Sequence, residues 1–331
     1  MNILVIGLGV MGFNHVRNLA SFEEVKRLDV VEPSEEGRRK VEALGKTGTV
    51  FCHKSLEEAL ATGRFDAAIV AVPTHLHYAI ASALVAKGIP LLIEKPITEK
   101  VEDGKKLIAE AKAKGVALMV GHIERFNPAV QALKKNLQMI GTPFYASVHR
   151  FGVPAQRDVG SSFIDQAVHD IDVLTFLVGK YPQEVSAIEA KIVDPKNNDL
   201  CSAIFEFNGF KATVEANRVT PIRSRELIIL GTEGAAKLDY IAQDLTIMRS
   251  DRVTSKYSTF DEVVMRIGRG SEIKPYFVKD EPLKLELKHF LDCVKNRKTP
   301  LTTGEDGLHA LAAAVAGTNA AKSGKKEQIA V

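Results

Sequence analysis

Over the first ~120 residues, short apolar runs alternate with amphipathic stretches, the pattern of a parallel sheet covered by crossover helices. Strands are expected at 3–6, 28–31, 49–52, 66–72, 90–93 and 117–120, each short and rich in β-branched or aliphatic residues. Between them, 34–44, 55–61, 75–87 and 101–114 place apolar residues three and four apart and read as helices. Lys87-Gly88 and Lys114-Gly115 end two of these with a cation in the last turn and glycine beyond it.

The texture changes after Gly121. A helical stretch at 129–137 is followed by strand-like runs at 144–151, 184–191, 200–207, 210–216 and 225–230, which read as a large, mainly antiparallel open sheet. Asn208-Gly209 sits between two of them as a hairpin turn. Helices are expected at 162–178, 283–296 and 304–322, whereas 251–279 has weak periodicity and reads as a mobile loop. The fold class is therefore α/β: a doubly wound parallel sheet over 1–121, then an α+β domain over 122–331 whose closing segment has room to pack back on the first.

Composition agrees with two globular domains. The chain has 331 residues, 45% hydrophobic and 26% charged, which excludes a disordered or fibrous protein. The 44 basic and 41 acidic residues leave a net charge of +3 without any basic run, so no nucleic-acid partner is expected. Cys52, Cys201 and Cys293 are odd in number and widely spaced, favouring neither disulfides nor a zinc site and fitting a reducing cytoplasm. Met1 leads directly into the first strand without a basic leader, and no apolar stretch reaches the ~18 residues of a membrane span, so neither export nor a membrane is expected.

Gly7-Leu8-Gly9-Val10-Met11-Gly12 follows a strand and opens a helix, the context in which a GxGxxG pattern marks a dinucleotide-binding Rossmann unit. The glycines allow a tight turn and a close approach of backbone N–H groups to a diphosphate at the helix N-terminus. Glu32 closes the second strand, where a carboxylate can accept the ribose hydroxyls of NAD and repel the 2′-phosphate of NADP. NAD is the expected cofactor, a preference slightly weakened by nearby Arg38 and Arg39.

Three further motifs follow in order: Pro73-Thr74-His75-Leu76-His77, then Gly88-Ile89-Pro90-Leu91-Leu92-Ile93-Glu94-Lys95-Pro96, then Asp165-Gln166-Ala167-Val168-His169-Asp170-Ile171-Asp172. Together they resemble the glucose–fructose oxidoreductase/inositol dehydrogenase (Gfo/Idh/MocA) family, and the similarity runs through nearly the whole chain. Ala167 departs from it, standing where the family often has glycine. The resemblance implies that Lys95 lies beside the nicotinamide and the substrate hydroxyl and that Glu94 shapes the cofactor pocket. Pro73, Thr74 and His77 would line the cofactor, and the C-terminal sheet would support a homodimer or homotetramer.

The residues themselves support part of this. Lys95 falls at the carboxyl end of a parallel strand, where open α/β sheets place their ligands. Asp165, His169 and Asp172 are spaced by four and three, so one helix face carries all three, and His169 suits a general base near neutral pH. The same spacing also fits Ser162 as an N-cap with Asp165 completing a capping box. Thr74 can cap a helix and leave His75 exposed in its first turn. His15, His53, His122, His149, His289 and His309 show no ligand spacing, and no metal is assigned.

Finally, Gly121-His122-Ile123-Glu124-Arg125-Phe126-Asn127-Pro128-Ala129-Val130 resembles the branch of that family that oxidises the 3-hydroxyl of UDP-N-acetylglucosamine or related nucleotide sugars. Arg125, Arg150 and Arg157 could then donate to a diphosphate and Asn127 to the sugar, with Asp165 and Asp172 also at the substrate. Solvated arginines, and Asn127 as the N-cap of a helix begun by Pro128, remain the alternative. Inositol or simple-sugar oxidation, redox-assisted glycoside hydrolysis and a non-catalytic dinucleotide sensor are the other functions this sequence admits.

Overall fold

The computed structural model describes residues 1–42, 49–154, 160–249 and 271–331. The chain divides into two compact units, one of residues 1–126 with 281–311 and residue 331, the other of 127–280 with 312–330.

In the first unit, six strands form one parallel sheet: β1 (Asn2–Ile6), β2 (Arg27–Val31), β3 (Val50–His53), β4 (Ala67–Val70), β5 (Leu91–Glu94) and β6 (Leu118–Gly121), in the order β3-β2-β1-β4-β5-β6. The helices that return the chain are α1 (Val10–Leu19), α2 (Glu35–Glu42), α3 (Leu56–Ala61), α4 (His77–Ala86) and α5 (Val101–Lys114). Ser55 caps α3 by accepting from the Glu58 amide, and Gly115 ends α5 in the left-handed conformation. Strands β4, β5 and β6 are buried along their whole length, as expected when both faces are covered. Ile3, Val5, Leu28, Val30, Ile69 and Leu92 build the core with Val16 and Leu19 of α1 and with Leu287, Phe290 and Leu291 of the late helix Pro282–Asn296. The Val120 amide donates to Thr302 O at 3.0 Å, so this late segment also engages edge strand β6.

The second unit carries a nine-stranded sheet of β7 (Pro143–Phe151), β8 (Glu184–Ala190), β9 (Leu200–Phe207), β10 (Phe210–Asn217), β11 (Ser224–Gly231), β12 (Gly234–Asp239), β13 (Asp244–Arg249), β14 (Ser271–Ile273) and β15 (Glu327–Gln328). Their order is β14-β13-β12-β11-β7-β10-β9-β8-β15. Every pairing is antiparallel except β7 with β10, so the sheet is mixed. Asn208 and Gly209 form the expected hairpin, with Phe207 opposite Phe210 and Gly209 at φ +77°. Of the expected loop at 251–279, residues up to 270 lie outside the described ones, and Ser271–Ile273 is strand rather than loop.

Helix α6 (Pro128–Asn136) begins with Asn127 as N-cap and Pro128 in its first turn. Helix α7 (Val168–Val178) is preceded by a π-helical turn, Phe163–Ala167, so the expected single α-helix over 162–178 starts with a wider winding. Ser162 makes no side-chain cap there, and the capping-box alternative does not form. Among the described residues no helix is long and apolar enough to cross a membrane.

Candidate active site

The sheet order reverses between β1 and β4, and a ligand crevice is expected at the carboxyl ends of such strands. The glycine loop leaves β1 at this point. Gly7 has φ +94°, and a Cβ there would meet Ala71 O at 2.5 Å. A Cβ on Gly12 would meet Gly7 O at 2.0 Å, so both glycines are required by the protein's own backbone. Gly9 differs, because its Cβ would meet no protein atom within 4 Å. The fold does not demand glycine there, and the open space fits the close approach of a diphosphate to a helix N-terminus.

Glu32 sits above this loop. Its Oε2 accepts from the Leu8 amide at 3.1 Å and its Oε1 from the Ser34 amide at 2.8 Å. Gly37 makes room for it, since a Cβ there would lie 2.7 Å from Glu32 Cγ. A cavity of about 240 Å³ opens beside the carboxylate, lined by Leu8, Gly9, Phe13, Glu32, Ser34, Glu36, Gly37 and Lys40. Arg38 donates to the carbonyls of Glu32 and Pro33, and Arg39 pairs with Glu35, so neither cation lines the cavity. Open space at Gly9 and a fixed carboxylate at Glu32 fit the diphosphate and ribose of NAD.

At the end of β5 stand Glu94, Lys95 and Pro96, the Lys95–Pro96 peptide being cis. Lys95 is half-buried. Buried Glu94 accepts from His15 Nε2 at 2.7 Å through Oε1 and from the Lys95 amide at 3.3 Å through Oε2. Burial pushes the Glu94 carboxyl up, but the bond and charge of His15, followed by Lys95 and His77, outweigh this and hold it below the usual range. Val10 and Met11 are the first residues of α1, and Pro73 precedes a 3₁₀ turn, Thr74–Leu76, that leads into α4. Thr74 makes no side-chain cap, and His75 is exposed.

His77 is buried, with Nδ1 at 2.9 Å from Pro96 O and Nε2 at 2.9 Å from Val72 O. Burial pushes its imidazole down, against the pull of the two carbonyls and of Glu94. His77, expected to line the cofactor, links the turns that follow β4 and β5.

In the second unit, Asp165 lies in the π-helical turn and His169 in the first turn of α7, both partly exposed, while Asp172 is buried. Asp165 Oδ2 lies 3.2 Å from Arg218 Nη1, and Arg218 also donates to Gly160 O at 2.7 Å. No sequence pattern singled out Arg218, which follows β10 without a motif of its own.

The residues expected to grip a diphosphate have other partners. Arg150 is 2% exposed and forms two bonds of 2.8 Å to buried Asp170, with the Tyr240 ring 5.4 Å from its guanidinium carbon. Arg125 is 4% exposed and donates to Asp306 and to Leu301 O, both at 3.0 Å. Asn127 caps α6 and donates to Tyr240 O. These three do internal structural work, matching the alternative left open by the sequence for Asn127 and replacing solvation by buried partners for the arginines. Arg157 lies outside the described residues. No cluster of three or more His, Cys, Asp or Glu placed to hold a metal occurs among the described residues.

Residues 1–122 match the GFO_IDH_MocA profile, described as an oxidoreductase family with an NAD-binding Rossmann fold, and 134–330 match its C-terminal alpha/beta domain. A scyllo-inositol 2-dehydrogenase (NAD(+)) of Bacillus subtilis is 29% identical over 99% of this chain and 96% of its own. A UDP-N-acetylglucosamine 3-dehydrogenase of Acidithiobacillus ferrooxidans is 26% identical over 94% of each chain. A solved structure of UDP-N-acetylglucosamine 3-dehydrogenase from Acidithiobacillus ferrooxidans superposes with a TM-score of 0.84, at 26% identity, over 98% of both chains.

Proposed function

The chain belongs to the Gfo/Idh/MocA family of NAD-binding oxidoreductases, and from that premise we propose that it oxidises a secondary ring hydroxyl of a nucleotide sugar, the 3-hydroxyl of UDP-N-acetylglucosamine or a close relative. The observation that carries this reading is the full-length likeness to the Acidithiobacillus enzyme, joined to the 121–130 stretch that resembles the same branch. We assign the cofactor to the first unit and the sugar chiefly to the second. The outer face of the nine-stranded sheet, with Ile188, Ile204 and Ile228 exposed, is the surface we assign to contact between copies of the chain. Ile204→Lys should then lower the mass measured by light scattering, and an unchanged mass would remove that assignment.

Bound NAD+ supplies the acceptor for the hydride that leaves the carbinol carbon. His169 takes the hydroxyl proton as that C–H bond breaks, so that the alcohol becomes a ketone and the proton rests on the imidazole. Lys95 donates a hydrogen bond to the same oxygen and stabilises the negative charge growing on it. Asp165, held by Arg218, orients the imidazole or the sugar. Glu32 receives the ribose hydroxyls, and the Gly7–Gly12 loop receives the diphosphate.

A second reading, oxidation of a cyclic polyol such as an inositol, is favoured by the buried pairings of Arg125 and Arg150, which withdraw two cations from any diphosphate clamp. NADH formation from UDP-N-acetylglucosamine, free N-acetylglucosamine and scyllo- and myo-inositol separates the two. Turnover confined to the nucleotide sugar is expected. Turnover of an inositol with none of the nucleotide sugar would replace the first reading by the second, and sugar release without NADH would replace both.

A further inference from the structure

Two buried histidines flank the Glu94-Lys95-Pro96 turn, and the chemistry above uses neither. His15 lies on α1, one turn after Gly12, with its side chain fully buried. Its Nε2 donates to Glu94 Oε1 at 2.7 Å, and its Nδ1 has no hydrogen-bond partner. The same carboxylate receives the Lys95 amide through its other oxygen. Gly121 allows the close fit, since a Cβ there would lie 3.1 Å from Glu94 Oε2. On the other side, the His77 ring stands between Pro96 O and Val72 O, one nitrogen to each, at 2.9 Å.

We infer that His15 and His77 are positioning residues for Lys95: His15 fixes the turn through the Glu94 carboxylate, and His77 fixes it through the Pro96 carbonyl. This rests on Lys95 being the catalytic lysine proposed above. The residues before and after Lys95 are thereby each tied to a different helix. His15 belongs to the helix that receives the cofactor diphosphate, and His77 opens the helix that follows β4. The lysine itself is half-buried on a long flexible stem, so the reach of its ammonium depends in part on how firmly its backbone is held. A displacement of ~1 Å at a reacting group can cost up to about a hundred-fold in rate.

Purely structural histidines would affect folding and cofactor affinity, whereas positioning residues change turnover through Lys95. The test is therefore a mutant cycle on the full chain, reading kcat and the dissociation constant of NADH for His15→Leu, His15→Gln and His77→Asn, each alone and combined with Lys95→Ala. His15→Leu removes the donor, whereas His15→Gln keeps an N–H within reach of Glu94. We expect His15→Leu and His77→Asn to lower kcat about ten-fold or more with NADH affinity changed less than about three-fold. Gln at 15 should restore most of the rate, and neither loss should persist in the Lys95→Ala background. If Leu at 15 does not fold, His77→Asn decides by the same criterion. Unchanged kcat in the single variants, or equal losses with and without Lys95, would overturn the inference while leaving the role of Lys95 standing. Full activity of Lys95→Ala alone would instead remove the reading beneath it.

Discussion

At the carboxyl edge of the six-stranded sheet, polar groups are presented by the backbone, through glycines that admit no side chain and a glutamate turned by two amides. Around α7 the polar groups are held by charge instead: Arg150 by Asp170, and Asp165 by Arg218. The first arrangement is decided by shape and tolerates almost no added volume at Gly7 or Gly12. The second is decided by pairing and tolerates volume better than the loss of a partner.

The largest effect should come from the second region. Asp170→Ala removes the carboxylate that takes two bonds from the buried Arg150 guanidinium, and urea unfolding should show about 3–5 kcal/mol of lost stability. Arg150→Met with Asp170→Leu removes both charges together and should cost much less. Equal losses in the two variants would mean that volume, not charge, governs this site. In the first region, Gly12→Ala forces a Cβ against Gly7 O, and about 1–3 kcal/mol of stability should be lost together with NADH binding. Retained NADH affinity would show that the loop relaxes without cost.

Smaller still, Glu32→Gln removes the charge that excludes a 2′-phosphate. NADH should bind about ten-fold more weakly and NADPH more tightly, read by fluorescence titration. An unchanged NADH to NADPH ratio would free Glu32 of that role. The smallest effect is at Asp306, where burial pushes the carboxyl up but the Arg125 charge and the Thr303 bonds hold it below its ordinary value. A carboxyl lowered in the folded state contributes stability above its unfolded pKa and loses it as the pH falls through the folded one. Below roughly pH 4, Asp306→Asn should therefore lose less stability than the parent. Parallel acid limbs would contradict this.

The same contrast explains what could be read in advance. Strands β4–β6 are legible because strands buried on both faces are continuous apolar runs, and the glycine loop is legible because its chemistry is local. Strands β12 and β13 escaped notice because they are short, with Lys237, Asp239 and Asp244 breaking the apolar signal. The parallel pairing of β7 with β10 depends on residues more than sixty apart, and nothing local encodes it. A spacing argument built on 3.6 residues per turn also cannot foresee the π-helical turn at Asp165. Arg150 did carry a signal that went unused: it alternates with Ala146 and Val148 on the buried face of β7. That pattern points to a buried side chain needing a partner of opposite charge, and that Asp170 is the partner is a matter of tertiary structure.

The proposed chemistry depends on both the Lys95 amine and the His169 imidazole. It is tested most directly by steady-state NADH formation in Lys95→Ala and His169→Ala, with NADH affinity measured on the same preparations. Turnover should fall by about 10²–10⁴-fold in each, with affinity for NADH nearly unchanged. Turnover close to that of the parent in either variant, or activity lost only in proportion to cofactor affinity, would contradict it.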